Sequence, residues 1–314
     1  MTASFPGLTQ RTTIDTVGST DDKIFAQAVL ISRPEPVMIK YGLAKMYEVP
    51  EQVNSVDVPV FTNFDLTWTD VSGTGSDLGS EISATAASAA TYRTLTPVMR
   101  TAALAVAEQV DYHTNRSSFE ELATRAGGAV SGEIDRIGIT DGVFSSRVTQ
   151  IYAAGGFNSN GSATSGSTLG PEDLTDAKAL LRAGSVNVYK ADVALMHPHQ
   201  YTQLVKHSDF TTSNYPVFNK AKFENGDLVE YDGMKIVLSE RIASQATGGY
   251  FTAAGRKVAV FDSKVAVAMA EKTAAMKVRR QFFLLNHVNV IVFDIMVAAD
   301  CLVPAAVVHL HAAN

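Results

Sequence analysis

The chain has very little cysteine, the residue on which disulfide-linked proteins and many metal sites depend. A single cysteine, Cys301, occurs among 314 residues, so neither an intrachain disulfide nor a zinc ribbon can form. Its apolar neighbours predict a small buried side chain rather than a reactive thiol. The longest apolar stretches, between residues 288 and 299, are interrupted by Asn289 and Asp294 and fall short of the roughly 20 residues that a membrane helix needs. We therefore expect no membrane span.

Positive charge is also scarce. The formal net charge is −6, which argues against a protein that wraps nucleic acid with a basic surface, and any contact with DNA is expected to be weak and nonspecific. The first residues, MTASFPGLTQRTTIDT, lack the basic and apolar segments of a secretion signal, which predicts synthesis and assembly in the cytoplasm. With 46% hydrophobic residues the chain is expected to fold around a substantial core.

One long segment contains no basic residue at all. Between Met46 and Tyr92 there is no Lys, Arg or His, but there are seven acidic residues, Glu48, Glu51, Asp57, Asp65, Asp70, Asp77 and Glu81. β-Branched and aromatic residues from Val53 to Thr69, a turn-rich tip from Asp70 to Ser80, and a return from Glu81 to Leu95 predict a long two-stranded hairpin. A lone hairpin is marginal in water, so it is expected to lie against its own body or a neighbouring chain.

Three helices are expected in the stretch that follows this hairpin, before a fourth described below. Pro97 can open a helix through Val98 and Val106, and a long amphipathic helix follows from about Asn115 to Ile137. Gly127, Gly128 and Gly132 in the long helix predict close approach of another backbone. After the low-complexity loop Gly155–Gly170, which marks a domain boundary, Pro171 starts a third helix that has acidic residues in its first turn.

The remaining chain predicts a small α/β unit and then a series of strands. Asp192–Met196 and Met234–Leu238 are expected to be buried strands, with His197-Pro198 as a turn before a helix over His199–Lys206. From Lys257 onward five strand segments, KVAVFDS, VAVAMA, AAMKVRRQF, NVIVFDIMVAA and AAVVHLHA, predict one antiparallel sheet packed on one face.

The histidine, glycine and serine patterns in the sequence do not indicate a metal, phosphate-binding or catalytic site. His197, His199 and His207 lack the cysteine or spaced carboxylate of a metal site, and His309 and His311 are expected on a solvated or inter-subunit face. The glycine-rich stretch lacks a phosphate-loop motif, and no nucleophile elbow surrounds a serine. We expect no catalytic residue, no cofactor and no metal.

The order of elements resembles the major capsid proteins of tailed viruses, which have the Hong Kong 97 fold. The resemblance is carried by LTDAKALLRAG, ADVALMHPHQYTQLVK and GDLVEYDGMKIVLSERI between Leu174 and Ile242, and by KVAVFDSKVAVAMAEKTAAMKVRRQ. It implies an α+β fold with peripheral and apical lobes, a long spine helix and an extended β-hairpin loop. In these terms the parts are an amino-terminal arm (1–52), the extended loop (53–95), a peripheral domain with the spine helix (96–169), an apical domain (170–252) and a return to the peripheral sheet (253–314).

Two departures from the family pattern affect the expected scaffolding and crosslinking of the shell. No long charged heptad segment precedes the loop, so scaffolding should come from a separate protein. The loop also lacks the lysine that some members use for covalent crosslinking.

The resemblance implies a shell-building protein and not an enzyme. We expect self-assembly through pentamers and hexamers into an icosahedral virion shell around double-stranded DNA, with separate scaffolding, portal and decoration proteins. One rival keeps the fold but makes it a cellular compartment of the encapsulin type. Another is a soluble enzyme that binds a small molecule in its α/β unit, but the sequence has no constellation of nucleophile, base and orienter.

The subunit interface is the one site that the sequence predicts. The acidic hairpin, with Asp70 and Asp77, is expected to dock on a basic surface of the next subunit, formed by Lys277, Arg279 and Arg280 or by Arg116, Arg125 and Arg136. In the alternative interpretation the acidic residues keep the loop soluble, and the apolar side chains of Phe61, Phe64 and Trp68 hold it in place.

Overall fold

The computed structural model describes residues 35–60, 91–107, 116–154, 168–183, 189–211, 221–225, 227–245, 255–272, 277–283 and 288–313. By their internal contacts these residues fall into a larger unit, from the ranges 35–100, 132–275 and 295–314, and a smaller unit, from 101–131 and 276–294. No helix in the described ranges has both the length and the apolar character to cross a membrane.

The described ranges contain helices and strands in about the order that the sequence predicts. The helices are α1 (Val37–Lys40), α2 (Arg116–Ile137), α3 (Pro171–Arg182), α4 (Pro198–Val205) and α5 (Ser208–Thr211). A π-helical turn, Gly138–Val143, extends α2. The strands are β1 (Lys45–Glu48), β2 (Val56–Val60), β3 (Thr91–Leu95), β4 (Val98–Ala107), β5 (Ile151–Ala153), β6 (Val193–Met196), β7 (Ala221–Glu224), β8 (Asp227–Tyr231), β9 (Met234–Leu238), β10 (Ser244–Gln245), β11 (Gly255–Phe261), β12 (Val267–Glu271), β13 (Lys277–Phe283), β14 (Val288–Cys301) and β15 (Val307–Ala313).

The larger unit is built on an eight-stranded sheet. Its strand order is β5-β15-β11-β6-β9-β8-β7, and β10 pairs with β11. The pairs β5/β15 and β6/β9 are parallel, and the other described pairs are antiparallel. A tight turn joins β8 to β9, because Asp232 and Gly233 adopt positive φ angles of 49° and 74°. Lys178 of α3 holds this turn through the backbone carbonyl and the carboxylate of Asp232.

Helices α3 and α4 cover one face of this sheet with apolar residues. Leu174 and Leu181 of α3 and Leu204 of α4 share a core with sheet residues such as Val258 and Leu310, and all five are no more than 2% exposed. Glu172 and Asp173 lie in the first turn of α3, as predicted, and Asp173 accepts a hydrogen bond from the Gly170 N–H. Pro198, expected in a turn, is instead the first residue of α4, a position that tolerates its missing N–H.

Strands β12, β13 and β14 belong to a second, five-stranded sheet with β1 and β4. All five late strands therefore form where the sequence predicts them, but the expectation of one sheet is wrong, because β11 and β15 belong to the eight-stranded sheet, where β11 pairs with both β15 and β6. A 3-10 turn at Pro304–Ala306 separates β14 from β15, so that consecutive strands join different sheets. Periodicity indicates that a segment is extended, but it does not identify its pairing partner.

The helix predicted after Pro97 is also wrong, since Val98–Ala107 is strand β4 and pairs with β14. Val98, Thr101 and Val106 are β-branched, which disfavours a helix and favours a strand, and β14 supplies the backbone partner. A 3.6-residue apolar spacing over ten residues is too short to decide between the two structures.

The long helix α2 forms as predicted and orients the start of the described chain. The buried carboxylate of Asp135 accepts hydrogen bonds from the N–H groups of Val37 and Met38, both at 2.9 Å, and so caps α1. Burial raises the pKa of Asp135, and the two backbone donors partly oppose that rise. The glycine prediction is wrong at Gly132, which faces the side chain of Arg241, and at Gly128 no described atom lies within 4 Å of an added Cβ.

Candidate subunit-interface site

Strands β2 and β3 form the base of the predicted hairpin. They pair antiparallel with Val56 opposite Leu95 and Val60 opposite Thr91. Opposed residues in such a pair share a face, so Val56, Val58, Val60 and Leu95 lie on one side of the ribbon. The tip and most of both arms, residues 61–90, lie outside the described residues.

One face of this base is packed against β12 within the larger unit. Val58, Val60 and Leu95 are at most 8% exposed and form a cluster with Ala268 and Ala270 of β12. Val49 and Leu302 complete the cluster, and Tyr47, Val56 and Val303 pack around it. The base of the hairpin is therefore held in place by apolar burial within its own chain.

The opposite face of the base is open. Asp57, Pro59, Tyr92 and Thr94 are exposed, and Tyr92 is exposed by 67%. The Thr94 hydroxyl donates to the Asp57 carboxylate at 2.6 Å. After two intervening residues, Val98 and Met99 of β4 are 59% and 50% exposed, although neighbouring strand residues point to opposite faces. This strip of apolar side chains was not singled out from the sequence, although counting alternate residues back from Leu95 would have placed Tyr92 outward.

The predicted basic strand is β13, which ends the path of the five-stranded sheet. Its register places Lys277 opposite Asp294, Arg279 opposite Val292 and Arg280 opposite Ile291. Asp294 is buried and accepts a hydrogen bond from the Thr101 hydroxyl at 2.9 Å. Phe61, Phe64, Trp68, Asp70 and Asp77 lie outside the described residues, so the predicted acidic and basic partners stay a prediction.

The alternative basic surface on α2 is partly occupied. Both Nε and Nη2 of Arg136 donate to the Glu133 carboxylate at 2.7 Å, and Arg100 adds a contact at 3.3 Å. The hydrogen bonds from Arg136 are the main reason that the pKa of Glu133 is lowered, with the charges of Arg136, Arg100 and Arg241 acting in the same direction. Arg125 also has an interaction partner. These arginines are less available to a neighbour's carboxylates than the sequence suggests.

The histidines take structural positions. His197 caps α4, because its Nδ1 accepts a hydrogen bond from the N–H of His199 at 3.1 Å. The expectation of a solvated or inter-subunit face for His309 and His311 is wrong, since they are 0% and 6% exposed. Within the described residues no three His, Cys, Asp or Glu side chains gather as a metal site would require.

His309 is the buried titratable group with a defined partner. Its Nε2 lies 2.9 Å from the Val143 carbonyl oxygen, which can only accept, so Nε2 carries the proton. Burial lowers the pKa of His309 to about 4, and although the Val143 bond opposes this effect, the charge of Lys257 adds to it. Its Nδ1 is buried without a partner, so a second proton there would find no acceptor.

Cys301 is a buried, unreactive thiol, as predicted. It is 0% exposed, and burial, with help from the charge of Asp300, raises its pKa to about 12. Thiolate is the nucleophilic form, so this side chain contributes packing and no chemistry.

Comparison with known proteins shows where this arrangement recurs. A family model described as phage capsid protein matches residues 79–313. No curated protein sequence matches the chain. Among solved structures, the capsid of the native GTA particle is 14% identical over 90% of this chain and 92% of that chain, with a TM-score of 0.57. A structure of Microbacterium phage Oxtober96 is 11% identical over 87% and 90%, with a TM-score of 0.57. The SrpI encapsulin complex from Synechococcus elongatus PCC 7942 is 12% identical over 88% and 87%, with a TM-score of 0.55.

Proposed function

The chain belongs to the phage capsid protein family, and on that premise we propose that it is the major capsid protein whose copies build an icosahedral shell around a double-stranded DNA genome. The family match over residues 79–313 carries this conclusion, because it extends from the hairpin to the last strand. The α+β fold agrees with the Hong Kong 97 type, as predicted. We assign to the subunit the five parts predicted from the sequence, from the amino-terminal arm to the strands that return to the peripheral sheet.

The half-covered hairpin base supports assembly. Its inner face is packed by its own chain, while Tyr92 on the open face, and Val98 and Met99 at the start of β4, are exposed. Apolar side chains that are left exposed on a strand are covered when copies associate. We assign this strip to contacts between subunits, which close by rotation into pentamers and hexamers.

The negative charge of the hairpin favours docking on a basic surface of the next subunit. Its five acidic residues, Asp57, Asp65, Asp70, Asp77 and Glu81, have no basic residue among them, and β13 carries Lys277, Arg279 and Arg280 at the end of a sheet path. The pairing of Arg136 with Glu133 favours β13 over α2 as the receiving surface. Single exposed pairs contribute only about 0–1 kcal/mol, so the charges set register and steering, repeated in every copy.

Charge reversal tests this docking. Arg279→Glu with Arg280→Glu should slow assembly, and the further changes Asp70→Lys and Asp77→Lys should restore part of the rate, as light scattering at low salt would show. If the reversed strand assembles at the normal rate, Phe61, Phe64 and Trp68 hold the loop by apolar contact instead.

The role, location and partners that we propose also follow from membership of the phage capsid protein family. The role is structural and not enzymatic, and the location is the virion, with assembly in the host cytoplasm. Separate scaffolding and portal proteins, and a decoration protein where one exists, are the expected partners besides the subunit itself.

A compartment of the encapsulin type is the rival that the fold supports, through the similarity to the SrpI encapsulin complex. Negative-stain microscopy of the expressed chain tests both. Closed shells, rings or tubes support assembly, and a monomer that persists at high concentration overturns it. Large shells that form with a portal and take up DNA support the virus, whereas small shells with enzyme cargo support the compartment.

A further inference from the structure

An exposed tyrosine near the start of the described chain is flanked by two lysines. Tyr41 follows α1 directly and is 37% exposed. Lys235 of β9 places its Nζ 4.3 Å from the centre of the Tyr41 ring, and Lys40 places its Nζ at 5.5 Å. Four residues further on, Lys45 lies 5.9 Å from the Tyr47 ring in the same way. We call Lys40, Tyr41, Lys45, Tyr47 and Lys235 the lysine–tyrosine patch.

The lysines of the patch are exposed and form no ion pair in the part of the chain that the structure describes. Other basic residues of the larger unit do, as in the pairs Lys178–Asp232 and Arg147–Asp300. Glu230 is opposite Lys235 on β8, and its charge also acts on Lys222. In sequence, Glu35 and Glu48 are the acidic residues nearest to Lys40 and Lys45, and Asp232, which pairs with Lys178, is the one nearest to Lys235. Three ammonium groups therefore remain available on a chain whose net charge is −6.

The geometry favours a phosphate backbone over a protein surface as the partner. A ring face attracts an ammonium group through its quadrupole but leaves the N–H donors free for an anion. Lysine contacts phosphate as a point charge without the planar fit that arginine requires. Protein interfaces are depleted in lysine and enriched in arginine, so a patch with three lysines and no arginine is unlike an interface core.

We propose that the lysine–tyrosine patch contacts the phosphates of packaged duplex DNA, one contact for each of Lys40, Lys45 and Lys235. The inference rests on the proposed function, since it requires a shell that encloses DNA. The chain between Tyr41 and Lys45 spans at most about 14 Å, which is comparable with about four phosphate spacings of about 3.4 Å along each DNA strand and leaves both sites within reach of one duplex. Such contacts read no base sequence, which suits a protein that must accept a whole genome.

The expected affinity is low for one subunit and has a defined salt dependence. Three phosphate contacts give a slope of log K against log salt of about −2.7, so binding should weaken about 40-fold between 50 and 200 mM salt. Repetition over the many copies of a shell would strengthen the total contact without a high affinity at any one site.

The experiment measures binding of unassembled full-length subunits to a fluorescent 20-base-pair duplex by anisotropy across this salt range. The test variant is Lys40→Gln with Lys235→Gln. The matched control is Lys206→Gln with Lys264→Gln, which removes the same charge from two other exposed lysines. We expect the test variant to lose two contacts, leaving a weakening of only about 3- to 4-fold over the range, while the control keeps the wild-type slope.

Three results would overturn the proposal. Equal losses in both double variants would show that only the overall charge matters, and absence of binding by the wild type at 50 mM salt would remove the contact itself. If instead a peptide of residues 61–90 binds the patch and the duplex does not, the surface is a contact between subunits. Microscopy of the same variants separates this from the assembly proposal, because shells that form normally without DNA affinity in the wild type contradict only the DNA contact.

Discussion

The eight-stranded sheet and the base of the hairpin obtain their stability from different sources. In β11 the four consecutive residues Val258, Ala259, Val260 and Phe261 are all 0% exposed, so both faces of the strand are covered by the same chain. In β2 and β3 burial alternates, and the outer face with Tyr92 stays open. A strand that is buried on both faces needs no partner subunit, whereas a ribbon that is buried on one face keeps a surface on which a partner can bind. On the proposed function, the difference separates the part of the subunit that folds alone from the part that assembly covers.

The largest expected effect comes from the sheet. Phe261→Ala removes a ring that is completely buried and should destabilise the unassembled subunit by about 3–5 kcal/mol in urea unfolding. Val265→Ala, at a residue that is 38% exposed a few positions away, is the control and should cost less than about 0.5 kcal/mol. A cost below about 1 kcal/mol for the Phe261 variant would mean that this sheet is not an independent core.

The second prediction concerns acid. The folded pKa of His309 is about 4 and its ordinary value is 6.5, so below pH 6.5 the unfolded chain takes up the proton first and stability falls with pH until about pH 4. Between pH 7 and pH 5 this group should cost the wild type about 2 kcal/mol. His309→Gln keeps a donor for the Val143 carbonyl but cannot titrate, so its urea midpoint should fall less steeply over this range. Equal pH slopes for the two proteins would contradict the assignment.

The hairpin base permits a paired test on its two faces. Val58→Ala, on the packed face, should destabilise the subunit by about 2 kcal/mol through lost burial and a small cavity. Tyr92→Ser, on the open face, should change the free energy of unfolding by less than about 0.5 kcal/mol but reduce the yield of shells in microscopy. If Tyr92→Ser assembles like the wild type, the open face is not covered by a neighbour.

The smallest effect is expected in α2, where two glycines have different surroundings. An added Cβ at Gly128 meets no described atom within 4 Å, so Gly128→Ala should stabilise the subunit by about 0.5–1 kcal/mol through helix propensity. At Gly132 the same atom would lie 2.3 Å from Nη2 of Arg241, so the guanidinium must move and the gain should be smaller or reversed. Thermal unfolding of the two variants compares them directly, and equal gains would show that Arg241 moves freely.

Local patterns predicted the elements better than their partners. The five strands after Lys257 and the start of α3 at Pro171 follow from alternation, proline position and first-turn acids. Membership of two different sheets does not, because pairing joins residues far apart in sequence, as in β6 with β11. The same limit hid the burial of His309 and the approach of Lys235 to Tyr41, which depend on where distant segments meet.

For the interface the sequence supplied the charge pattern, and the structure supplied the surroundings. The acidic run from Glu48 to Glu81 is visible in the residues alone. The ion pair between Arg136 and Glu133 is not visible in this way, because spacing permits a carboxylate at i−3 to bind a basic residue but does not show that it does.

The buried position of Cys301 allows the rate of local opening around β14 to be measured through its thiol. Because the chain holds one thiol and that thiol is fully enclosed at the end of β14, a colourless aromatic disulfide reagent can modify it only when the surrounding strands separate. The rate at which colour develops under native conditions therefore counts openings of this region, with no engineered label and no second site to subtract. Followed before and after shells form, that rate would report directly how far association with neighbours slows the breathing of each copy.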